Sequence, residues 1–170
     1  MKYNGNVFLV GPMGAGKTTI GKVLADRLQL QFFDSDQEIQ CSTGTDIPWI
    51  FDVEGESGFR SREIKMIDVL TRKLNIVLAT GGGSVIEEEN RKRLSERGTV
   101  IYLHASIEQQ IERTARDKGR PLLQTGDPET KIRELMEIRE ALYRQVADIV
   151  IDTNQRNARS VSLEISKKLL

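Results

Sequence analysis

The sequence is poor in the residues that would mark a disulfide-stabilised or zinc-binding protein. It has one cysteine, Cys41, and one histidine, so an internal disulfide cannot form and no Cys/His grouping has the spacing of metal ligands. Disulfide frameworks belong to oxidising compartments. Their absence favours an enzyme or binding protein of the reducing cytoplasm.

A net charge is also missing, because 25 lysines and arginines balance 25 aspartates and glutamates. Proteins that bind nucleic acid or anionic membranes without specificity need a basic face. No apolar run approaches the ~20 residues that span a bilayer. We therefore expect a small-molecule substrate and neither a nucleic-acid nor a membrane partner, although a local arginine cluster around a small anion fits this composition.

What the 170 residues do contain is an alternation of short apolar runs with amphipathic stretches. The apolar runs are continuous, as in strands buried on both faces. Alternation of strand and helix predicts an α/β fold of three layers, a five-stranded parallel sheet with helices on both faces. The predicted strands are 6–10, 30–34, 75–80, 99–104 and 148–152. The predicted helices are 16–28, 61–74, 88–96, 106–116, 129–146 and 158–170.

Two segments interrupt this alternation. Residues 41–60 lack a clear period, and residues 117–128 are rich in glycine and proline. We predict both as irregular loops. Loops of this length inside a compact domain are usually functional covers or disordered segments.

A glycine-rich loop connects the first predicted strand to the first predicted helix. Its sequence GPMGAGKT, residues 11–18, matches G-x-x-x-x-G-K-[ST] at every position. Such a loop points backbone N–H groups at phosphate oxygens, and the helix N-terminus adds its positive end. We expect Lys17 to reach the outer phosphates and Thr18 to ligate Mg²⁺. The predicted nucleotide-binding residues of the loop are Gly14, Ala15, Gly16, Lys17, Thr18 and Thr19.

The loop predicts nucleotide binding but not a particular reaction. A GTPase is expected to carry Asn-Lys-x-Asp after a late strand, and DTNQRN at 152–157 lacks that motif. The chain is also short for a motor ATPase. A small-molecule phosphotransferase that uses ATP and Mg²⁺ is the favoured interpretation.

Two carboxylates, Asp34 and Asp36, follow the second predicted strand. Ligands of open parallel sheets bind at the carboxyl ends of the strands, so both residues can face the crevice of the phosphate loop. At i and i+2 they face one side if the backbone stays extended. Asp34 suits Mg²⁺ binding, and Asp36 suits orientation and deprotonation of the attacking hydroxyl. The alternative is that one of them only caps a helix that begins near Ser35.

Four further motifs occur along the chain: GFRSRE at 58–63, ATGGGSV at 79–85, RPLL at 120–123 and REALY at 139–143. With the phosphate loop and Asp-Ser-Asp, they resemble the shikimate kinase family over nearly the whole chain. The resemblance implies a P-loop kinase fold of the nucleoside-monophosphate-kinase type. The implied reaction is transfer of the ATP γ-phosphate to the 3-hydroxyl of shikimate, in aromatic amino-acid biosynthesis.

The resemblance also implies a division of the chain and roles for individual residues. It predicts one kinase domain, 1–170, that acts as a monomer; its parts are a core (1–34, 61–112 and 129–170), a substrate-binding insertion (about 35–60) and a mobile lid (about 113–128). Asp34 would hold Mg²⁺ through water, and Arg113 and Arg156 would lie beside the adenine. The implied catalytic residues are Lys17, Asp36 and Arg120, which also closes over the phosphates. The implied substrate-binding residues are Asp36, Arg60, Gly81, Gly82, Gly83 and Arg139.

The chemistry of these residue types agrees with such a substrate. Arg60 and Arg139 can each bind a carboxylate with two parallel hydrogen bonds, which lysine cannot do. Three consecutive glycines provide a surface against which a ring can lie. The alternatives are that the arginines are solvated helix charges and the glycines a flexible strand exit. Glu63 would either orient an arginine by an ion pair or face water.

Two other function classes remain open at this point. A related small kinase could act on gluconate, adenylylsulfate or a nucleoside monophosphate, and a nucleotide-dependent binding module could lack turnover. One position also departs from the family pattern, since Ala141 stands where many relatives have proline. We expect this change to loosen a helix start or turn beside Arg139.

Overall fold

The computed structural model describes residues 2–115, 123 and 126–170. The strands are β1 (Val7–Val10), β2 (Gln31–Asp34), β3 (Ile76–Ala79), β4 (Thr99–His104) and β5 (Ile149–Asp152). The helices are α1 (Lys17–Leu28), α2 (Ser35–Thr43), α3 (Ile47–Thr71), α4 (Glu88–Arg97), α5 (Ile107–Thr114), α6 (Pro128–Val146) and α7 (Ala158–Leu169). A short 3₁₀ helix, Ser84–Ile86, follows β3.

The five strands form one parallel sheet in the order β2-β3-β1-β4-β5. The prediction of a five-stranded parallel sheet is confirmed. After β1 the chain crosses to β2 at one edge, returns through β3, and then continues to β4 on the other side of β1. Strand order therefore reverses around β1, and the crevice at such a switch point is where open parallel sheets bind ligands.

Alternation along β1 divides the core between the two faces of the sheet. Val7 and Leu9 pack into a cluster with α1 and α7, whereas Phe8 and Val10 pack into a second cluster with α3, α4 and α6. All four side chains are fully buried. Continuous apolar character in this strand thus reflects two covered faces, as the sequence predicted.

The prediction of an irregular segment at 41–60 is wrong, because most of this segment is helical. Helix α2 ends at Gly44, which adopts the left-handed conformation, and α3 begins after Asp46, whose side chain accepts a hydrogen bond from the Trp49 N–H at 2.9 Å. Gly55 (φ 73°, ψ 178°) interrupts α3 and breaks its hydrophobic period. The helix start has a recognisable sequence signal, an aspartate N-cap followed by Pro48 in the first turn.

The expected helix start or turn beside Arg139 is not present. Ala141 is exposed and lies within α6, which continues from Pro128 to Val146 through Arg139. A proline at this position would remove a hydrogen bond inside the helix, whereas alanine is the best helix former. The departure from the family pattern therefore fits a continuous helix.

In the part of the chain that the structure describes, no helix is long and apolar enough to cross a membrane.

The side chain of Asn6, directly before β1, connects three segments at the amino-terminal edge of the sheet. Its Nδ2 donates to the carbonyls of Lys73 (2.7 Å) and Arg97 (3.3 Å), and its Oδ1 accepts from the Ile76 N–H (3.2 Å). The side chain is buried. It therefore aligns the starts of β1 and β3 and the end of α4, directly before β4.

We expect Asn6→Ala to lower the free energy of unfolding by about 1–3 kcal/mol, because it leaves buried backbone groups unpaired. Denaturant titration measures this change. The matched control is Asn4→Ala, at an exposed position two residues earlier, which should leave stability unchanged. Equal midpoints for the two variants would contradict a structural role of Asn6.

Candidate functional site: a nucleotide cleft beside a glycine ledge

A cleft of about 690 Å³ lies at the carboxyl edge of the sheet. It extends from the phosphate loop to the loop after β3. The residues that line it are Gly14, Ala15, Gly16, Lys17, Thr18, Thr19, Ile20, Asp34, Asp36, Gln37, Gln40, Ile47, Thr80, Gly81, Gly82, Arg113, Thr153, Arg156 and Ala158. All six nucleotide-binding residues predicted in the phosphate loop are among them.

The phosphate loop owes its shape to glycine. Gly14 and Gly16 have φ angles of 79° and 88°, in the left-handed region that side chains disfavour. Because Gly16 is also the N-cap of α1, no capping side chain covers the first turn of this helix. The first turn and positive end of α1 therefore face the cleft and favour an anion there. Lys17 Nζ lies along the same loop and donates to the carbonyls of Gly11 (2.7 Å) and Pro12 (2.9 Å).

Asp34 uses its two carboxylate oxygens for different purposes. Oδ1 accepts hydrogen bonds from the N–H groups of Asp36 (3.0 Å) and Gln37 (3.1 Å), which makes Asp34 the N-cap of α2. Oδ2 accepts from the Thr18 hydroxyl at 2.6 Å. Asp34 thus caps α2, but its Oδ2 accepts from Thr18 and the residue lines the cleft, so the metal role of Asp34 stays a prediction.

The backbone between Asp34 and Asp36 does not stay extended, so the condition under which the two side chains would face one side of a strand is not met. Asp34 ends β2, and Asp36 lies in the first turn of α2. Both still line the cleft, because the strand ends and the helix begins at the cleft edge. Asp36 lies against the loop after β3, where a Cβ on Gly81 would fall 2.8 Å from Asp36 Oδ1.

Arg60 and Arg139 are buried and are not solvated helix charges. Their exposed fractions are 9% and 3%. Arg60 Nη1 donates to Glu63 Oε1 at 2.9 Å, and Glu63 Oε2 accepts from the Ser84 hydroxyl at 3.1 Å. Glu63 is fully buried, which decides between its two interpretations in favour of the ion pair that orients an arginine.

The buried carboxylate of Glu63 depends on these partners. Burial raises the pKa of Glu63, and the charge of Arg60, with hydrogen bonds from Arg60 and Ser84 and the charge of Arg139, acts in the opposite direction. Removing one partner of such a pair leaves a buried charge uncompensated, which is strongly destabilising. Arg60 is therefore oriented by the Glu63 carboxylate, and Arg139 contributes its charge nearby.

The three glycines after β3 form a ledge, defined here as Gly81–Gly83, that other groups approach closely. A Cβ on Gly83 would lie 2.6 Å from the Cζ of Arg60, and a Cβ on Gly82 would lie 3.6 Å from Arg139 Nη1. None of the three has a positive φ. Glycine is therefore required for close approach of charged groups at Gly81 and Gly83, where the interpretation as only a flexible strand exit is wrong, whereas Gly82 has ordinary contacts.

At the other end of the cleft, two arginines are held by protein carbonyls and carboxylates. Arg113 donates from Nη1 to the Gly14 carbonyl (2.9 Å) and from Nη2 to the Thr153 carbonyl (2.8 Å). Arg156 donates from Nη1 to Glu164 Oε2 at 2.6 Å. Both line the cleft beside the phosphate loop, and their role beside the adenine stays a prediction.

The predicted residues thus divide into three groups. Those of the phosphate loop, both aspartates, Gly81, Gly82, Arg113 and Arg156 line the cleft, whereas Gly83 belongs to the ledge next to Arg60, and Arg139 lies next to Gly82. Arg120 lies outside the described residues, as does most of the predicted lid.

Sequence reasoning missed several cleft and ledge residues. Gln37, Gln40 and Ile47 line the cleft from α2 and the start of α3, in and beside the segment that was predicted as irregular. Tyr143 donates from its hydroxyl to the Gly82 carbonyl. The signal for Tyr143 was available, because it follows Arg139 by four positions and a helix places i and i+4 on one face.

The comparisons with known proteins decide which family uses this arrangement. A family model described as shikimate kinase matches residues 13–170. The chain belongs to the shikimate kinase family. Members of this family are ATP-dependent phosphotransferases.

Similarity to individual shikimate kinases extends over almost the whole chain. The chain is 58% identical to the enzyme of Alteromonas mediterranea over 96% of both chains, and 57% identical to that of Pseudomonas fluorescens over 96% of this chain and 95% of the relative. A solved shikimate kinase from Acinetobacter baumannii, in complex with shikimate, superposes with a TM-score of 0.96 at 52% identity. That superposition covers 97% of this chain and 92% of the other.

The close contacts of the ledge predict different tolerances at two neighbouring glycines. We expect Gly83→Ala to displace the Arg60 guanidinium and to lower the free energy of unfolding by about 1–3 kcal/mol, as overpacking does. Gly82→Ala is the matched control, because its nearest neighbour would be 3.5 Å away, an ordinary contact. Thermal unfolding of both variants tests this difference. A Gly83→Ala variant as stable as Gly82→Ala would show that Arg60 does not require the close approach.

Proposed function

We propose that this chain transfers the γ-phosphate of ATP to the 3-hydroxyl of shikimate, which gives shikimate 3-phosphate and ADP. The observation that carries this proposal is the arrangement of one cleft: a phosphate loop at one end, and at the other Asp36 beside a glycine ledge backed by two buried arginines. A carboxylate acceptor for a hydroxyl proton and two cations for a carboxylate are what shikimate requires. The family membership supports the same substrate.

The nucleotide end of the cleft suits ATP. Backbone N–H groups of residues 14–19 and the positive end of α1 can bind phosphate oxygens. Lys17 can turn from the loop carbonyls to the outer phosphates, where its charge offsets the charge that develops during transfer. Arg113 and Arg156 are already oriented by their own hydrogen bonds, and we assign their exposed faces to the adenine.

The residues beside the phosphate loop also fit Mg²⁺. Mg²⁺ prefers oxygen ligands and usually keeps several waters, so that one or two protein groups suffice. The Thr18 hydroxyl and Asp34 Oδ2, 2.6 Å apart, provide a direct ligand and a carboxylate that can bind through water. When bound, Mg²⁺ would neutralise charge on the phosphates.

Asp36 is assigned to the acceptor hydroxyl. It lines the cleft between the phosphate loop and the ledge, where it can accept the hydroxyl proton as the oxygen attacks the γ-phosphate. The acceptor ring would lie on Gly81, Gly82 and Gly83. Its carboxylate would be bound by Arg60 and Arg139, whose planar guanidinium groups allow paired hydrogen bonds.

We further propose the division into core, insertion (about 35–60) and lid (about 113–128), with Arg120 closing over the phosphates. Closure would exclude water, which competes with the acceptor for the phosphoryl group. Helix α3 crosses the boundary of the insertion near 60 and is interrupted earlier, at Gly55.

A monomer in the cytoplasm, without nucleic-acid or membrane partners, completes the proposal. The exposed free thiol of Cys41 suits a reducing compartment.

The direct test is ADP release from Mg-ATP by purified protein, with shikimate, gluconate, adenylylsulfate and nucleoside monophosphates supplied separately. We expect strong release with shikimate alone. Release with another acceptor would keep the nucleotide end of the cleft and overturn the assignment of Arg60, Arg139 and the ledge. ATP binding without turnover of any acceptor would favour a nucleotide-dependent binding module.

Replacement of Asp36 tests its role as proton acceptor. Asp36→Asn keeps the shape of the side chain but cannot accept the proton, so kcat should fall by ~10²–10⁴. ATP affinity, measured by calorimetry, should be unchanged. Glu38→Gln is the control, because it removes a carboxylate from the same helix without changing a cleft residue. Equal activity of the two variants would refute the catalytic assignment of Asp36.

Two substitutions at Asp34 separate helix capping from metal binding. Asparagine caps a helix as well as aspartate does, whereas alanine costs about 1 kcal/mol at an N-cap. Asp34→Asn should therefore unfold at the wild-type midpoint but require more Mg²⁺ for half-maximal activity, and Asp34→Ala should show both defects. If Asp34→Asn needs no more Mg²⁺ than the wild type, then Asp34 acts as a cap alone.

A further inference from the structure

Gly82, one of the two ledge glycines that line the cleft, accepts a hydrogen bond from Tyr143, a residue outside the cleft. The Tyr143 hydroxyl donates to the Gly82 carbonyl oxygen at 2.5 Å, across 61 positions of sequence. The tyrosine side chain is fully buried, whereas Gly82 is half-buried and faces the cleft. A group outside the cleft thus fixes the position of a backbone segment inside it.

Helix α6 contacts Gly82 with a second side chain. Arg139 lies four positions before Tyr143, so the two project from one face of the helix. Arg139 Nη1 is 3.6 Å from the point where a Cβ on Gly82 would stand. The distance between the ledge and the Arg139 guanidinium is therefore set by the same helix that supplies the tyrosine.

The Tyr143 hydroxyl keeps its proton under all working conditions. Burial raises the pKa of Tyr143 to about 12, although the charge of Arg139 and a hydrogen bond from Arg139 to the Tyr143 hydroxyl act against this rise. The hydroxyl is thus a permanent donor to Gly82. It has no part in proton transfer at neutral pH.

A second tyrosine provides an internal comparison. Tyr102, on β4, stacks on Tyr143 with ring centroids 5.1 Å apart and is also fully buried. Its hydroxyl donates to the carboxylate of Glu140. The two rings share one core cluster, but only the Tyr143 hydroxyl is bonded to a residue that lines the cleft.

We infer that Tyr143 is a positioning residue for the phosphoryl acceptor: its hydroxyl holds the Gly82 carbonyl so that the ledge and Arg139 together match the acceptor ring and its carboxylate. This inference rests on the proposed function. Tyr143 touches neither the nucleotide-binding residues nor Asp36 in the described hydrogen bonds. Its loss should therefore weaken acceptor binding and leave the phosphoryl-transfer step intact.

The test compares Tyr143→Phe with Tyr102→Phe. Each variant loses one buried hydroxyl from the same stacked pair and keeps the ring, so both should lose stability to a similar extent. We expect the KM for shikimate to rise about tenfold in Tyr143→Phe, the size of one hydrogen bond, with kcat and the KM for ATP unchanged. Tyr102→Phe should keep all three constants. Thermal unfolding without ligands measures the stability of both variants.

The shikimate titrations use saturating Mg-ATP, which stabilises the folded state by mass action, so that a loss of stability does not prevent measurement; the KM for ATP comes from a separate ATP titration at saturating shikimate. A shikimate KM that is equal in the two variants would overturn the inference, as would a fall in kcat confined to Tyr143→Phe. Turnover of shikimate by the wild type tests the proposed function separately. Without that turnover the proposed function fails, whereas turnover with an unchanged KM in Tyr143→Phe refutes the positioning role alone.

Discussion

Parallel pairing of the strands is the constraint on which the whole site depends. All five strands end at the same edge of the sheet, so the segments that follow them meet there although they are far apart in sequence. The phosphate loop follows β1, Asp34 ends β2, and the ledge follows β3. The reversal of strand order at β1 leaves the crevice into which these segments project. The common direction of the strands thus determines which segments, and therefore which side chains, meet in the cleft.

Buried charge gives the acceptor end its geometry. Arg60, Glu63 and Arg139 are taken out of water, which costs free energy that only good pairing can offset. Glu63 accepts hydrogen bonds from Arg60 and Ser84, and the ledge glycines leave room for the guanidinium groups. Arg60 is therefore held in one orientation by the protein itself, and under the proposed function less conformational entropy would be lost when an acceptor binds. The nucleotide end uses the same strategy, since Arg113 and Arg156 are fixed by their own partners.

Much of the fold and the phosphate loop at the cleft could be predicted, because these depend on local patterns, whereas the roles of the other site residues stay predictions that rest on the family resemblance. Five continuous apolar runs indicated five strands, and one complete motif indicated the phosphate loop. The prediction that all five strands are buried is wrong for the edge strands β2 and β5, which are covered by only one neighbouring strand and are partly exposed. The segment 41–60 was mispredicted because Gly44 and Gly55 divide it into short helical pieces without a sustained period. The sequence could not decide whether Asp34 caps a helix or faces the cleft, because its carboxylate does both, each through a different oxygen.

The sequence by itself determined the order of the elements, the phosphate loop and the residue types available for an acceptor with hydroxyls and a carboxylate. It could do so because helix period, strand character and glycine spacing are properties of neighbouring residues. Only the tertiary structure decided that Arg60 and Arg139 are buried, that Glu63 pairs with one of them, and that Tyr143 holds Gly82. These facts depend on how α3 and α6 pack against the loop after β3. Contacts between segments tens of residues apart leave no pattern among neighbouring residues, so only the folded structure shows them.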